Sequence, residues 1–389
     1  MRAAVLVCLS GLLLAGCSDQ AMVPAQTPSA TAVADAHDPG HRSAASPMSL
    51  RAGERVVTVG VPRDFAPQAP AGATDEYRCF LADPGLRRAT MITGAEFVPG
   101  NPAIVHHSIL YAVYPAQVAA AQALDAQDQQ AGYECFGGSG LPARGGDALS
   151  ALDQSDWITA WAPGGEATEM PAGYGMKLPA GGRIIIQMHY NLRSTQGTDS
   201  TTVRLRVSNK DLKPLTTSLL PAPVELPCAP GESGRLCNRT DAVDDVISRF
   251  GVGSGATIAG LQLLCGGDPE HPKAGSVQTC DRPVTAPAKV FAVAGHMHLL
   301  GRQIRVTLNP GERGEKVLLD VPNWDFDKQG AVPLAAPVAI GPGDTLRVRC
   351  RHDASLRSQL PALQGTEPRY VVWGEGTTDE MCLAILLTG

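Results

Sequence analysis

Short segments of alternating apolar and polar residues recur along the chain, separated by glycine and proline. Examples are Val203–Val207, Ile304–Leu308, Lys316–Asp320 and Thr345–Arg349. A period of two is typical of strands in antiparallel sheets that bury one face. Only Ala116–Gln129 and Asp241–Phe250 look helical. The pattern predicts an all-β protein of two β-sandwiches, with a boundary near Leu212–Pro223 where prolines cluster.

The N-terminal residues have the layout of an export signal. A largely apolar run, Ala3–Leu14, is followed by Ala-Gly and then Cys17, as in a lipoprotein cleavage site. The run is too short to span a bilayer as a helix. We therefore expect a signal peptide at residues 1–16 and lipid attachment at Cys17. This lipid would be the only membrane contact of a periplasm-facing protein, and Ser18 favours the outer membrane.

The next segment, residues 17–50, has few large apolar side chains and is predicted to be a disordered tether. His37 and His41 lie in it and are interpreted as solvated. Residues 51–389 are long enough for two domains of ordinary size. Charged residues make up 18% of the chain and the net charge is −6, so no basic surface for nucleic acid is expected.

Eight cysteines remain after Cys8 of the signal and Cys17 are set aside: Cys79, Cys135, Cys228, Cys237, Cys265, Cys280, Cys350 and Cys382. An even number in an oxidising compartment predicts disulfides. None forms a close Cys-x-x-Cys pair, which argues against a thiolate metal site. Many connectivities are open to eight cysteines, and sequential pairing is our working hypothesis.

Several histidines lie where a strand would normally carry apolar residues. His106 and His107 stand within Ile104–Leu110, and His189 follows Ile184–Met188. Neighbouring side chains of a regular strand point to opposite faces, so His106 and His107 can share a metal only if the strand ends or bends there. Otherwise one is a core and the other a surface histidine. His189 alone is more typical of a hydrogen-bonded core residue than of a metal ligand.

The spacing of His296 and His298 is a stronger metal signal. A period of two places both on one face of a strand, able to chelate one ion, while Met297 points away. Met381, near the C-terminus, is by itself typical of a core methionine. As a ligand it would indicate copper, because thioether sulfur favours Cu(I) and imidazole serves both oxidation states. Two other histidines lie among polar neighbours and are predicted to be on the surface: His271 and His352.

Together these segments resemble the copper type II, ascorbate-dependent monooxygenases, the family of peptidylglycine α-hydroxylating monooxygenase and dopamine β-monooxygenase. The resemblance extends from about Glu76 to the C-terminus, with each motif in the family's order. The matching motifs are Phe97-Val98-Pro99 before Val105-His106-His107, Tyr133-Glu134-Cys135, Ala160-Trp161-Ala162, Gly173–Met176, Gln187–Tyr190, Gly295–Gly301, Gly341–Asp344 and Asp379–Cys382.

The resemblance implies two jelly-roll-like domains, residues 51–215 and 216–389, that each hold one copper ion and face each other across a solvent cleft. The electron-storing copper would be bound by His106, His107 and His189. The copper that meets dioxygen and substrate would be bound by His296, His298 and Met381. The resemblance also implies two disulfides, Cys79–Cys135 and Cys350–Cys382, and leaves open the partners of Cys228, Cys237, Cys265 and Cys280.

The implied activity is hydroxylation of a C–H bond of a small organic substrate, with O₂ and an external reductant such as ascorbate. The peptide-acting branch anchors its substrate carboxylate with Arg, Asn and Tyr, and Ala294, Leu383 and Ile385 occupy those places here. A peptide ending in glycine is therefore not the expected substrate. Two alternatives remain: a non-catalytic periplasmic lipoprotein that binds copper or transfers electrons, and a structural lipoprotein whose histidines belong to the core.

Overall fold

A computed structural model of the chain describes residues 48–70, 74–136, 138–142, 156–163, 165–193, 195–326 and 328–389. All of them fall within one contact unit. The predicted signal peptide, Cys17, His37, His41 and nearly all of the predicted tether lie outside the described residues. The described end of the tether packs on the first domain, since Met48 is buried and Ser49 accepts a hydrogen bond from Arg206 through its carbonyl oxygen. No helix in these ranges is long and apolar enough to cross a membrane.

The N-terminal part of this unit, called the first domain below, contains a pair of sheets. Its order is β1-β10-β3-β8-β11, with β7 on β3, in one sheet and β5-β2-β9-β4-β6 in the other. The described elements are β1 (Glu54–Gly60), β2 (Asp75–Ala82), β3 (Thr90–Val98), β4 (Val105–Val113), α1 (Val118–Asp125), β5 (Tyr133–Glu134), β6 (Trp157–Trp161), β7 (Thr168–Glu169), β8 (Tyr174–Leu178), β9 (Arg183–Asn191), β10 (Thr202–Ser208) and β11 (Lys213–Pro214). Ile92, Ile186 and Leu205 are fully buried between the sheets, and each such side chain contributes about 1.5–3 kcal/mol.

The C-terminal part of the unit, called the second domain below, also contains two sheets, ordered β12-β21-β15-β18 and β14-β19-β16-β17, with a separate β13-β20 pair. Its described elements are β12 (Thr216–Pro221), β13 (Glu225–Leu226), α2 (Arg239–Phe250), α3 (Val252–Leu264), β14 (Val277–Pro283), β15 (Ala288–His296), β16 (Gly301–Leu308), β17 (Lys316–Val321), β18 (Val332–Ile340), β19 (Thr345–His352), α4 (Leu356–Gln359), β20 (Val371–Val372) and β21 (Leu383–Thr388). Its core includes Val293, Ile304 and Val348.

The all-β class is confirmed, and the four alternating segments all lie in strands. The helix α3 was not predicted, because its run of Gly, Ala and Ser lacks amphipathic periodicity. Packing explains it. A Cβ at Gly255 would lie 2.7 Å from the Ile247 side chain, so glycine lets α3 approach α2 closely. The helix predicted over Ala116–Gln129 is shorter than expected and runs over Val118–Asp125.

Four disulfides join cysteines in sequential order: Cys79–Cys135, Cys228–Cys237, Cys265–Cys280 and Cys350–Cys382. Both pairs implied by the resemblance are among them. The Cys350–Cys382 bond ties β19 to the residue just before β21, beside Met381. It therefore fixes the segment that carries the predicted thioether ligand.

Candidate metal centre

A β-bulge explains how two adjacent histidines face one point. Strand β4 pairs with β9, and its register shifts between Val105, which lies opposite Tyr190, and His107, which lies opposite His189. A bulge inserts an extra residue and turns its side chain out of the normal alternation. His106 is that residue. This is the bend that a shared site requires.

The three histidines of the first domain, His106, His107 and His189, point their Nδ1 atoms at each other. The Nδ1 atoms are 3.2 Å apart between His106 and His107, 3.0 Å between His106 and His189, and 3.2 Å between His107 and His189. A metal ion about 2.0–2.1 Å from tetrahedrally placed imidazole nitrogens separates them by about 3.3 Å. The triangle therefore has the size of a three-histidine metal site.

Protons alone cannot satisfy this triangle. The Nε2 of His189 lies 2.8 Å from Asp75 Oδ1, and a carboxylate accepts, so this nitrogen donates and Nδ1 of the neutral ring carries the lone pair. His106 and His107 would then either both donate to His189, which places two N–H groups against each other, or leave an unprotonated Nδ1 facing the lone pair of His189. Burial lowers the pKa of all three imidazoles, so they are neutral at pH 7. A cation in place of the protons satisfies all three nitrogens.

Asp75 and Tyr77 hold the His189 ring from outside the triangle. Asp75 fixes its tautomer, and the ring of Tyr77 stacks on it with centroids 4.0 Å apart and planes 15° apart. Carboxylate partners of this kind orient metal-binding histidines and make them better ligands. Both residues lie on β2, next to β9 in the sheet.

In the second domain, the structure changes one expectation about His296 and His298. They do not lie on one strand: β15 ends at His296, and His298 belongs to the turn that leads into β16. The strand stops because Glu380 accepts the backbone N–H groups of His298 and Leu300, at 2.9 and 2.6 Å, in place of a neighbouring strand. The two rings are nevertheless neighbours, with centroids 5.2 Å apart.

The Nδ1 atom of each of these two rings has a hydrogen-bond partner. His296 Nδ1 lies 2.6 Å from Oε1 of Gln329, whose amide nitrogen donates to the Phe326 carbonyl. His298 Nδ1 lies 3.2 Å from the carbonyl of Asp379. Since both partners accept, each ring donates from Nδ1 and leaves the Nε2 lone pair for a ligand role. Burial lowers the pKa of His296 to about 3, which keeps it neutral.

Met381 is buried directly after Glu380, which accepts its backbone N–H as well as that of His298. One carboxylate thus shapes both the histidine turn and the methionine segment. Burial would raise the pKa of Glu380, but hydrogen bonds from His352 and the backbone lower it.

The surface assignment of His352 was wrong. It is 1% exposed, and its Nε2 lies near Glu380 and the Met381 carbonyl. It lies opposite Gly301 in the sheet, at the end of β19. His271 is exposed, as predicted.

The expected solvent cleft between the two sets is absent from the described residues. The His107 and His296 rings lie 6.0 Å apart, and Phe326 stacks on His106 at 4.8 Å. Phe326 belongs to the segment between β17 and β18, which packs over the first-domain triangle. The five histidine rings therefore form one cluster, in which His107 and His296 are partly exposed and the other three are buried.

Sequence reasoning missed the residues that orient these ligands. Asp75, Gln329, Glu380 and His352 are single polar residues without a distinctive spacing. The segment Asn323-Trp324-Asp325-Phe326 offered the clearest signal, since two aromatic residues stand in a polar stretch between strands. Trp324 donates from its indole nitrogen to the His298 carbonyl, and Phe326 covers His106.

Two sets of histidines, one accompanied by a buried methionine, define a candidate metalloprotein with ligands suited to copper. Residues 272–387 match the model of the copper type II ascorbate-dependent monooxygenase C-terminal domain. The human protein described as DBH-like monooxygenase protein 1 is 34% identical over 99 residues, which is 25% of this chain and 14% of that protein. Both matches support the resemblance of the C-terminal part of the chain to this family. The chain thus spans a small part of this relative's length.

Solved structures add nothing to this conclusion. The coconut allergen cocosin is 10% identical, with 86% of this chain and 85% of that chain covered and a TM-score of 0.14. Pumpkin seed globulin is also 10% identical, with 81% and 75% covered and a TM-score of 0.14. Such values carry no argument about the fold.

Proposed function

We propose that the chain is a copper-dependent monooxygenase that hydroxylates a C–H bond of a small organic substrate with O₂ and an external reductant. The Nδ1 triangle carries the proposal, because no arrangement of protons satisfies it and a metal ion does. His106, His107 and His189 would hold one copper, and His296, His298 and Met381 the other. Copper would supply dioxygen activation at the methionine-containing site and electron storage at the other.

The protein's own residues orient and enclose these sites. Gln329 and the Asp379 carbonyl present Nε2 of His296 and His298, whereas Asp75 presents Nδ1 of His189. Phe326 covers His106, and the two sets contact each other through His107 and His296, which stay partly exposed. The substrate would be small and would lack a carboxylate anchored as in the peptide-acting branch, since Ala294, Leu383 and Ile385 offer no charged or hydrogen-bonding side chain there.

A copper-holding or electron-transfer protein is the second candidate. The close approach of the two histidine sets favours it, because it leaves little room between them for an organic substrate. Copper content and oxygen uptake separate the candidates. We expect two copper ions per chain by elemental analysis, and ascorbate-driven O₂ uptake that rises with one class among amine, aromatic and peptide substrates. One ion or none would contradict the two-site arrangement. Two ions without any hydroxylated product would favour the second candidate.

A pocket behind His298 fits an anionic reductant. It has a volume of about 220 Å³ and is lined by Arg302, Asn323, Trp324, Arg351 and Asp353. Arg302 is paired with Asp353, whereas the exposed Arg351 has no ion pair among the described residues. Trp324 connects the pocket to the His298 carbonyl. The net positive charge suits the ascorbate monoanion.

Arg351→Gln is accordingly expected to raise the KM for ascorbate about two- to five-fold, the effect of one partly solvated charge contact. The copper content should not change. Arg305→Gln is the matched control, since Arg305 is exposed on β16, pairs with Asp320 and does not line the pocket. Equal KM values in the wild type and in Arg351→Gln would exclude this pocket as the reductant site.

A further inference from the structure

One carboxylate contacts both domains. Asp75 Oδ1 accepts from His189 Nε2 at 2.8 Å and from Thr377 Oγ1 at 2.9 Å. Thr74 donates to the other carboxylate oxygen at 2.9 Å. Asp75 opens β2 of the first domain, whereas Thr377 stands four residues before Met381 in the second. A metal-site histidine and the methionine segment are thus linked through a single oxygen atom.

We propose that Asp75 and Thr377 are positioning residues that hold the two metal sites close together. We call their hydrogen bond the Asp75–Thr377 clamp. The inference rests on the proposed function, because it concerns the same two sites. It adds that their proximity depends on this contact, and that the first-domain site and the methionine segment are coupled through it.

A second contact supports the clamp. The Tyr77 hydroxyl donates to the carbonyl of Glu375, two residues before Thr377, while the Tyr77 ring stacks on His189. The Glu375–Thr377 segment is therefore linked to His189 in two ways. Thr377 binds Asp75, which accepts from Nε2 of His189, and Glu375 binds Tyr77, whose ring stacks on the His189 ring. Turning or shifting His189 disturbs both contacts.

The segment is also anchored within the second domain. Asp379 accepts two hydrogen bonds from Arg249, at 2.8 and 2.6 Å, and its carbonyl accepts from His298. Glu380 also binds the backbone of His298. A shift of the segment is therefore expected to move His298 with it. Loss of the clamp is therefore expected to separate the His107 and His296 rings, which now lie 6.0 Å apart.

Electron paramagnetic resonance of the copper-loaded, oxidised full chain tests the clamp. Two neighbouring Cu(II) ions broaden each other's spectra, whereas separated ions give two independent signals. We expect a broadened spectrum from the wild type and a largely narrowed one from Thr377→Val, which keeps the shape of the side chain and removes the hydroxyl. Thr377→Ser keeps the hydroxyl and should restore broadening. Thr378→Val is the matched control and should behave as the wild type, since Thr378 makes no side-chain hydrogen bond among the described residues.

Copper affinity gives a second readout. Asp75→Asn should weaken the first-domain site about 10- to 100-fold, as expected for a carboxylate that orients a ligand, and Thr377→Val should weaken it less. If Thr377→Val does not fold, Thr377→Ala replaces it. Wild-type protein with fewer than two copper ions would contradict the proposed function. Thr377 variants that hold two copper ions and keep the wild-type spectrum would overturn the clamp, as would a wild-type spectrum without broadening.

Discussion

Met381→Ala is expected to lower the turnover rate about 100-fold or more, while the oxidised protein keeps most of its copper. His296 and His298 keep their Nε2 lone pairs in the variant, because Gln329 and the Asp379 carbonyl still hold their Nδ1 atoms. Cu(II) is satisfied by imidazole and water, whereas Cu(I) favours the soft thioether. Copper stoichiometry in both oxidation states, measured beside oxygen uptake, would show a selective loss of Cu(I) at this site.

Met381→Leu distinguishes a ligand from a core residue. Met381 is 7% exposed and belongs to the core of the second domain, so alanine would leave a cavity that costs about 2–5 kcal/mol. Leucine has nearly the same volume and costs less than about 1.5 kcal/mol. If leucine preserves both Cu(I) binding and activity, Met381 is only a packing residue and the assignment of the oxygen-activating site is wrong.

His107→Ala is expected to reduce the copper content from two ions per chain to one and to stop multiple turnover. With His107 absent, one N–H···N hydrogen bond from His106 to His189 satisfies both remaining rings. The Nδ1 atoms of that pair are already 3.0 Å apart. In the wild type a metal ion relieves the unfavourable contact among the three Nδ1 atoms. That contact is absent from the variant, so the affinity of this site for copper should fall. The second site should keep its ion but lack the stored electron.

Elemental analysis and single-turnover kinetics test this expectation. Hydroxylation takes two electrons and reduced His107→Ala holds one, so product that forms only when ascorbate supplies the second electron would show that the second site still reacts. His271→Ala is the control, because His271 is 84% exposed and lies apart from both sets. Retention of two tightly bound copper ions by His107→Ala would refute the three-histidine site.

The contact between the two histidine sets bears on how the protein would work. The packing of the two sets covers most of the metal ligands, but a substrate must reach the same space. The clamp lies at the edge of this enclosure, between Asp75 on one domain and Thr377 on the other. A weaker clamp would then favour substrate entry at the expense of proximity between the sites, which makes the Thr377 variants informative about catalysis as well as geometry.

Much of the architecture was determined by local sequence pattern. Alternation of apolar and polar residues specified strands such as β10 and β19, because a strand with one buried face needs a period of two. The candidate ligands were also visible, since a histidine in an apolar run is unusual and the motifs follow the order of a known family. The even number of cysteines predicted disulfides, all of which lie in sequential order.

Only the tertiary structure decided how these residues meet. The bulge at His106 depends on the pairing of β4 with β9, and the end of β15 at His296 depends on a carboxylate more than 80 residues away, Glu380. Asp75 acquires its role from a contact across 302 positions of the chain, with Thr377. Hydrogen bonds of this kind are set by packing between sheets and leave no periodic trace in the sequence. The proximity of the two histidine sets was hidden for the same reason, because it arises from the docking of two domains and not from either domain alone.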